Sequence, residues 1–166
     1  DEMLSPIHGP AWSYRQRARF AVRQVAKKGG VLVGFHERRT HLVVEMDSCA
    51  VLPERISALI LPLRALLGAM QLAARIPQIE VAAGDTEVAL VFRHMEPLPA
   101  EDVAALVAFA RARDWQLYLQ PAGPDSVPRV WPEQGEDRLY YALADFGVDL
   151  AFHPMDFTQV NAGINR

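Results

Sequence analysis

Cysteine occurs once in these 166 residues, so no disulfide can close within the chain. A scaffold stapled by disulfides is excluded, and a reducing cytoplasm is the compartment expected. No apolar run approaches the roughly 20 residues that span a bilayer, so no membrane partner is expected. Residues 1–10 are acidic and contain proline, unlike a signal or transit peptide. There is no GxGxxG turn, P-loop, CxxC or HExxH, and no close histidine pair. The five histidines, His8, His36, His41, His94 and His153, are scattered and read as surface or hydrogen-bonded side chains. No repeat of 20–50 residues is present.

What is present suits one folded domain, or one domain with an extension. Hydrophobic residues make up 51% and charged residues 22%. The net charge of −3 hides an asymmetry. Between residues 12 and 39 stand Arg15, Arg17, Arg19, Arg23, Lys27, Lys28, Arg38 and Arg39, opposed by Glu37 alone. That segment is near +7, which leaves the remainder near −10. A basic patch on an acidic chain points to a local polyanion site.

Residues 14–25 alternate. Tyr14, Ala18, Phe20 and Val22 fall on one face with Gln16; Arg15, Arg17, Arg19 and Arg23 fall on the other. Period two predicts a half-buried strand with guanidinium groups pointing outward. Lys27-Lys28-Gly29-Gly30 reads as a hairpin turn, 31–35 as the return strand and 42–46 as a third strand. Residues 53–74 carry apolar residues at helical spacing, from Ile56 to Met70, and Pro62 should kink or split that helix. A second hairpin is expected around Gly84-Asp85, from 78–83 and 87–93. A second helix follows over 101–113, with Val103, Leu106, Val107 and Ala110 inward. Strands are expected at 115–119, 138–145 and 148–152. Between them, 120–137 reads as a long loop or a short hairpin around Val130 and Trp131. The order predicts an α+β fold: an antiparallel β-sheet with two amphipathic helices on one face, leaving the arginine face free for a ligand.

Two places invite chemistry. Cys49 follows a strand and precedes a helix; it could be an activated nucleophile, a single metal ligand or a small buried apolar residue. The closing FHPMDFTQVNAGIN, residues 152–165, is rich in amides and aromatics and reads as a binding loop leading into a helix.

Six stretches then form a pattern. WSYRQRARF (12–20), VGFHERR (33–39), DSCAVL (47–52), IPQIEVA (76–82), ALVFRH (89–94) and DFTQVN (156–161), with Asn165 after it, occur in that order. Together they resemble the RNA (uracil-5-)-methyltransferases that act on 23S ribosomal RNA, the RumA/RlmD type. The likeness runs from about residue 5 to the end.

The resemblance implies that the chain is a fragment. Members carry a TRAM domain, a central domain holding a [4Fe–4S] cluster, and a C-terminal Rossmann-like methyltransferase domain. Residues 1–150 would be most of the central domain, and 151–166 the lead-in to the methyltransferase domain. Cys49 matches the fourth cluster cysteine, the other three belonging to an upstream segment. Gln159 matches the glutamine that contacts S-adenosylmethionine, and Phe157 sits where an aromatic packs on the target base. Asn161 and Asn165 match the surrounding pattern. The family reaction adds a cysteine thiolate to uracil C6, transfers methyl to C5 and removes the C5 proton with a base. The nucleophile, the cofactor loop and the base are all expected beyond Arg166, so no catalytic residue is assigned here and the fragment alone is expected to be inactive. It is expected to hold neither S-adenosylmethionine nor the cluster by itself.

The implied partner is 23S ribosomal RNA, met by Arg15, Arg17, Arg19, Lys27, Lys28, Arg38 and Arg39, with Phe157 on the base. No obligate protein partner is expected; a monomer is, unless apolar surface left by absent neighbours drives dimerisation. Two other readings stand beside this one: the same chemistry on transfer RNA or another ribosomal uridine, and a non-catalytic α+β RNA-binding or interaction module.

Overall fold

The computed structural model describes residues 3, 5–25, 30–123 and 125–165. Its main element is a six-stranded sheet of β1 (Arg17–Val25), β2 (Gly30–Gly34), β3 (Gln78–Ala83), β4 (Val88–Arg93), β5 (Gln116–Gln120) and β6 (Arg129–Trp131), in the order β2-β1-β3-β4-β5-β6. A separate hairpin joins β7 (Leu139–Leu143) to β8 (Val148–Phe152). The helices are α1 (Glu54–Ser57), α2 (Ile60–Ala69) and α3 (Ala100–Arg111).

The architecture is mixed α+β, with one departure from the expected antiparallel sheet: β4 and β5 run parallel. A parallel neighbour cannot be reached by a tight turn, and α3 supplies the crossover. The expected strand at 42–46 does not form. A single bridge, His36 to Val43, joins that stretch to the chain before it, and Leu42 and Val44 stay exposed. Alternation alone makes no strand where no partner accepts the ladder.

The long helix expected over 53–74 is split at Ala58-Leu59 into α1 and α2, and ends in a 3-10 turn, Ala73–Arg75. Pro62 then falls in the first turn of α2, where its missing N–H removes no intrahelical bond. The helices share one face of the sheet. Ile56, Ile60, Leu63 and Leu67 meet Phe20, Val33, Ile79, Leu90 and Phe92, and Leu106 closes the same cluster from α3. Asp102 is buried on α3 while Val103 and Val107 stay at the margin.

The opposite face holds a smaller cluster of Ala82, Ala89, Val91, Tyr118, Val127, Leu139 and Phe152, covered by the β7–β8 hairpin. That hairpin is docked through the β3–β4 turn. Asp85 N–H donates to Tyr140 O at 2.8 Å, and Ala142 N–H donates to Asp85 Oδ2 at 2.8 Å. Arg55 Nη2 holds the same turn by donating to Gly84 O at 2.8 Å. Among the described residues, no helix is long and apolar enough to cross a membrane.

Candidate functional site

The arginine strand has the alternation expected of it. Ala18, Phe20 and Val22 are buried toward the helices, and Arg17, Arg19 and Arg23 point to the other face. The register then builds rows across the sheet. Arg19 stands opposite Glu80, and Glu80 opposite Val91. One row away, Ala21 faces Gln78, Gln78 faces Arg93, and Arg93 faces Gln120.

Glu80 is the anion of this face, with a side chain only 4% exposed. Its Oε1 lies 3.0 Å from Arg19 Nη2 and accepts from Gln78 Nε2 at 3.0 Å, and its Oε2 lies 3.5 Å from Arg17 Nη2. A buried carboxylate persists when cations and donors saturate it, as here. Two arginines on one carboxylate leave a net positive patch.

Arg19 keeps most of its side chain in solvent, 67% exposed. Arg17 does not; it is turned inward by the partners described below. The face is therefore less free for a ligand at Arg17 than the strand pattern implied. Arg23 and Arg93 are exposed, and neither side chain pairs with any described residue. Arg15 donates from Nε to Arg17 O at 3.0 Å. Arg38 and Arg39 occupy an exposed turn where Glu37 N–H donates to Leu42 O, and Arg39 takes a left-handed φ of 64°. Lys27 and Lys28 lie outside the described residues.

The closing segment returns to the start of β1. Gln16 N–H donates to Val160 O at 3.0 Å, and Arg15 bridges Asn161. Between β8 and that return runs a loop, 153–159. Its first turn is closed by Asp156 N–H to His153 O at 2.8 Å and His153 N–H to Asp156 Oδ2 at 2.7 Å. Into this turn reaches Arg17. Its Nη2 donates to Pro154 O at 2.6 Å and its Nη1 to Asp156 O. Beyond the turn Phe157 stands 85% exposed, and Gln159 is exposed as well.

Gln159 lines a pocket of about 160 Å³ together with Thr158, Asn165, Gln16, Arg55 and Asp85. Gln16 Oε1 is buried there and accepts no hydrogen bond from the described residues. A buried acceptor without a donor is uncommon, and it gives the pocket a polar preference. The pocket is smaller than the roughly 300 Å³ at which small-molecule sites begin, so it suits part of a ligand.

Cys49 sits in the turn before α1, half-buried against the main core. Its backbone N–H donates to Ser57 Oγ at 2.7 Å. Just beside it, Ser13 N–H and Arg15 N–H donate to Ala50 O and Val51 O, both at 2.9 Å. Among the described residues no three His, Cys, Asp or Glu side chains converge to hold a metal. A [4Fe–4S] cluster takes four ligands, and the described residues around Cys49 offer this one thiol.

Sequence reasoning missed Glu80 and Arg93 on the arginine face. Arg93 was legible in principle: it ends a strand whose alternate residues, Leu90 and Phe92, are core, so position 93 must face the other way. Glu80 was legible in the same way, between core Ile79 and Val81, but its pairing with Arg17 and Arg19 was not, because those arginines lie far off in sequence.

The chain is 53% identical, over all its 166 residues, to the 23S rRNA (uracil(1939)-C(5))-methyltransferase RlmD of Paracidovorax citrulli, of which it spans 33%. It is 52% identical over its whole length to the proteins of the same name from Burkholderia cenocepacia and, again at 52%, Ralstonia pickettii, spanning 35% and 36% of them. The chain thus spans about a third of the length of these relatives. No family model matches it. Among solved structures, the Pyrococcus abyssi tRNA (uracil-54, C5)-methyltransferase in complex with S-adenosyl-L-homocysteine superposes with a TM-score of 0.62 at 20% identity, covering 92% of this chain and 38% of that one. At that identity the likeness is one of fold. The sequence likeness goes further than fold: over its whole length the chain is similar, at 52–53% identity, to a segment about a third as long as the 23S rRNA (uracil(1939)-C(5))-methyltransferases named RlmD.

Proposed function

We propose that this chain is the RNA-contacting segment of a methyltransferase that forms 5-methyluridine in 23S ribosomal RNA, with S-adenosylmethionine as methyl donor. The observation that carries the reading is the identity of 52–53% over the whole chain with relatives bearing that name. The geometry supports it in two ways. A net positive sheet face suits a phosphate backbone, and an exposed aromatic and an amide share one loop beside it.

On this reading Arg15, Arg19, Arg23 and Arg93 take phosphates or stack on splayed bases, with Lys27, Lys28, Arg38 and Arg39 extending the surface. Phe157 offers its ring to the target uracil, which must leave the stack to be reached. Gln159 orients the donor, since an amide can both give and accept a hydrogen bond. S-adenosylmethionine, when bound, supplies the methyl group. Residues 151–166 lead into the methyltransferase domain, which carries the nucleophilic cysteine and the base in the rest of the protein. Cys49 is proposed as one cluster thiolate; the described residues do not complete such a site, and no step of the chemistry is routed through it.

Tritium release from 23S RNA labelled at uracil C5 tests the reading, using the full-length protein. Release that depends on S-adenosylmethionine is the expected result. No release from folded protein on unmodified RNA would overturn it. Removal of Arg93 (R93A) is expected to lower the slope of log affinity against log salt by about 0.7–1, the loss of one phosphate contact.

A further inference from the structure

We propose that Arg17 is a positioning residue that sets the shape of the loop bearing Phe157 and Gln159, and is not itself an RNA contact. The inference deepens the function proposed above and rests on it for the roles of those two residues.

The loop 153–159 is fixed at its two ends by backbone. β8 holds it before His153, paired with β7 through Phe152 opposite Leu139. The return of Val160 and Asn161 to Gln16 and Arg15 holds it after Gln159. Between these ends, Asp137 and Tyr118 meet the His153 ring at the loop's start, and Arg17 grips the backbone of the turn itself. Arg17 donates to the carbonyls of both Pro154 and Asp156, two residues apart. Two carbonyls on one turn fit the planar fork of a guanidinium; the compact ammonium of lysine offers no such fork.

Arg17 is held in turn. Glu80 lies 3.5 Å from the same Nη2 and is itself nearly excluded from water. Arg17's side chain is 19% exposed, against 67% for Arg19. Donors already turned inward to two carbonyls and a carboxylate have little left for a phosphate. Arg19 shares the carboxylate but keeps its outer surface in water. The strand's alternating arginines therefore divide into two roles: one faces solvent, the other props up the loop. Glu80 touches both, so the phosphate-facing side chain and the loop share one buried anion.

The test separates these roles in the full-length protein. In R17A, the KM for S-adenosylmethionine and the Kd for S-adenosylhomocysteine should each rise about tenfold, while the salt slope of RNA binding stays at its wild-type value. In R19A the pattern should invert: the salt slope falls by about 0.7–1, and S-adenosylhomocysteine binds as in wild type. R17K should rescue only part of the loss. Hydrogen exchange of the amides in 153–160 gives a readout that needs no activity, and it should speed up in R17A and R17K but not in R19A. If R17A leaves exchange and S-adenosylhomocysteine binding unchanged and lowers the salt slope as R19A does, the proposal is overturned and Arg17 is an RNA contact. If wild-type protein neither binds S-adenosylhomocysteine nor methylates RNA, the function reading fails instead, and exchange alone decides whether Arg17 positions the loop.

Discussion

The carboxylate of Asp102, on α3, accepts the backbone N–H of Leu72 at 3.0 Å, and its other oxygen accepts that of Gln71 at 3.0 Å. Asp102 is only 3% exposed. The two amides follow the end of α2, where the chain turns toward its 3-10 segment and could not satisfy them itself. One acidic residue thus fastens α3 to the α2 exit. Replacing it by alanine orphans two donors, and a loss of about 2–3 kcal/mol is expected. D102N keeps the shape and one acceptor oxygen, and should lose about half as much. Urea midpoints of the two variants decide this; equal midpoints for D102A and wild type would show that the donors find other partners.

Glu80 offers a second test. E80A leaves Arg17 facing a gap where its anion stood, and about 2 kcal/mol of stability should go, discounted because Arg19 is mostly in solvent. E80Q preserves volume and accepts one donor, so its loss should be smaller. Thermal unfolding at low and high salt separates charge from packing: the E80A deficit should change little with salt, since the carboxylate is buried.

Gly84 makes a close approach. A Cβ there would lie 2.4 Å from Tyr140 O, in the turn that docks the β7–β8 hairpin. G84A should cost about 2 kcal/mol by forcing that hairpin outward, and proteolysis should speed up between residues 139 and 152. Gly68 is the control. It sits in the last turn of α2 with nothing within 4 Å of its Cβ position, so G68A should gain about 0.5 kcal/mol from helix propensity. Opposite signs are the expected outcome; equal ones would remove the contact argument at Gly84.

Tyr118 gives the chain a sensitivity to alkali. Burial first, and then the neighbouring Asp137 carboxylate, hold its phenol above the ordinary range. Its hydroxyl donates to Gln116 Oε1 at 2.6 Å. In the unfolded chain the phenol ionises near about 10, while in the fold it keeps its proton. The unfolded state therefore binds fewer protons at high pH, and stability falls as pH rises through 10. The contribution is fully present below that value and lost above it. Denaturant midpoints at pH 8, 9.5 and 11 should drop more steeply for wild type than for Y118F. Parallel curves would mean that the phenol titrates alike in both states.

Much of this was legible in the sequence where one face of an element is apolar. The strand of Ala18, Phe20 and Val22, the hairpin at Gly84-Asp85 and the helical stripe through Ile56, Leu63 and Leu67 all announce their buried sides. Strand direction was not legible, because period two is the same for parallel and antiparallel neighbours; only the helix between β4 and β5 hinted at a crossover. Leu42 and Val44 misled, as they alternate without a partner strand. At the site, alternation pointed to Arg19, and the family resemblance to Phe157 and Gln159. It could not show that Arg17 turns away from its neighbours, because that depends on Glu80 and on carbonyls that lie in contact only once the chain has folded.

The grip of Arg17 on Pro154 joins positions 137 apart. Most of the sheet assembles from hairpins and one crossover, each closing a short stretch of chain, whereas this contact must close nearly the whole of it. Closure entropy grows with that span, and contacts of such separation form late. At roughly 5–20 residues per second of synthesis, Arg17 also precedes its partner carbonyls by on the order of ten seconds. The sheet can therefore be complete while the loop beside it is still unlocked. Pulse-labelled exchange during refolding should record protection of β3 and β4 first and of 153–160 last, making the loop's closure the final step in the folding of this chain.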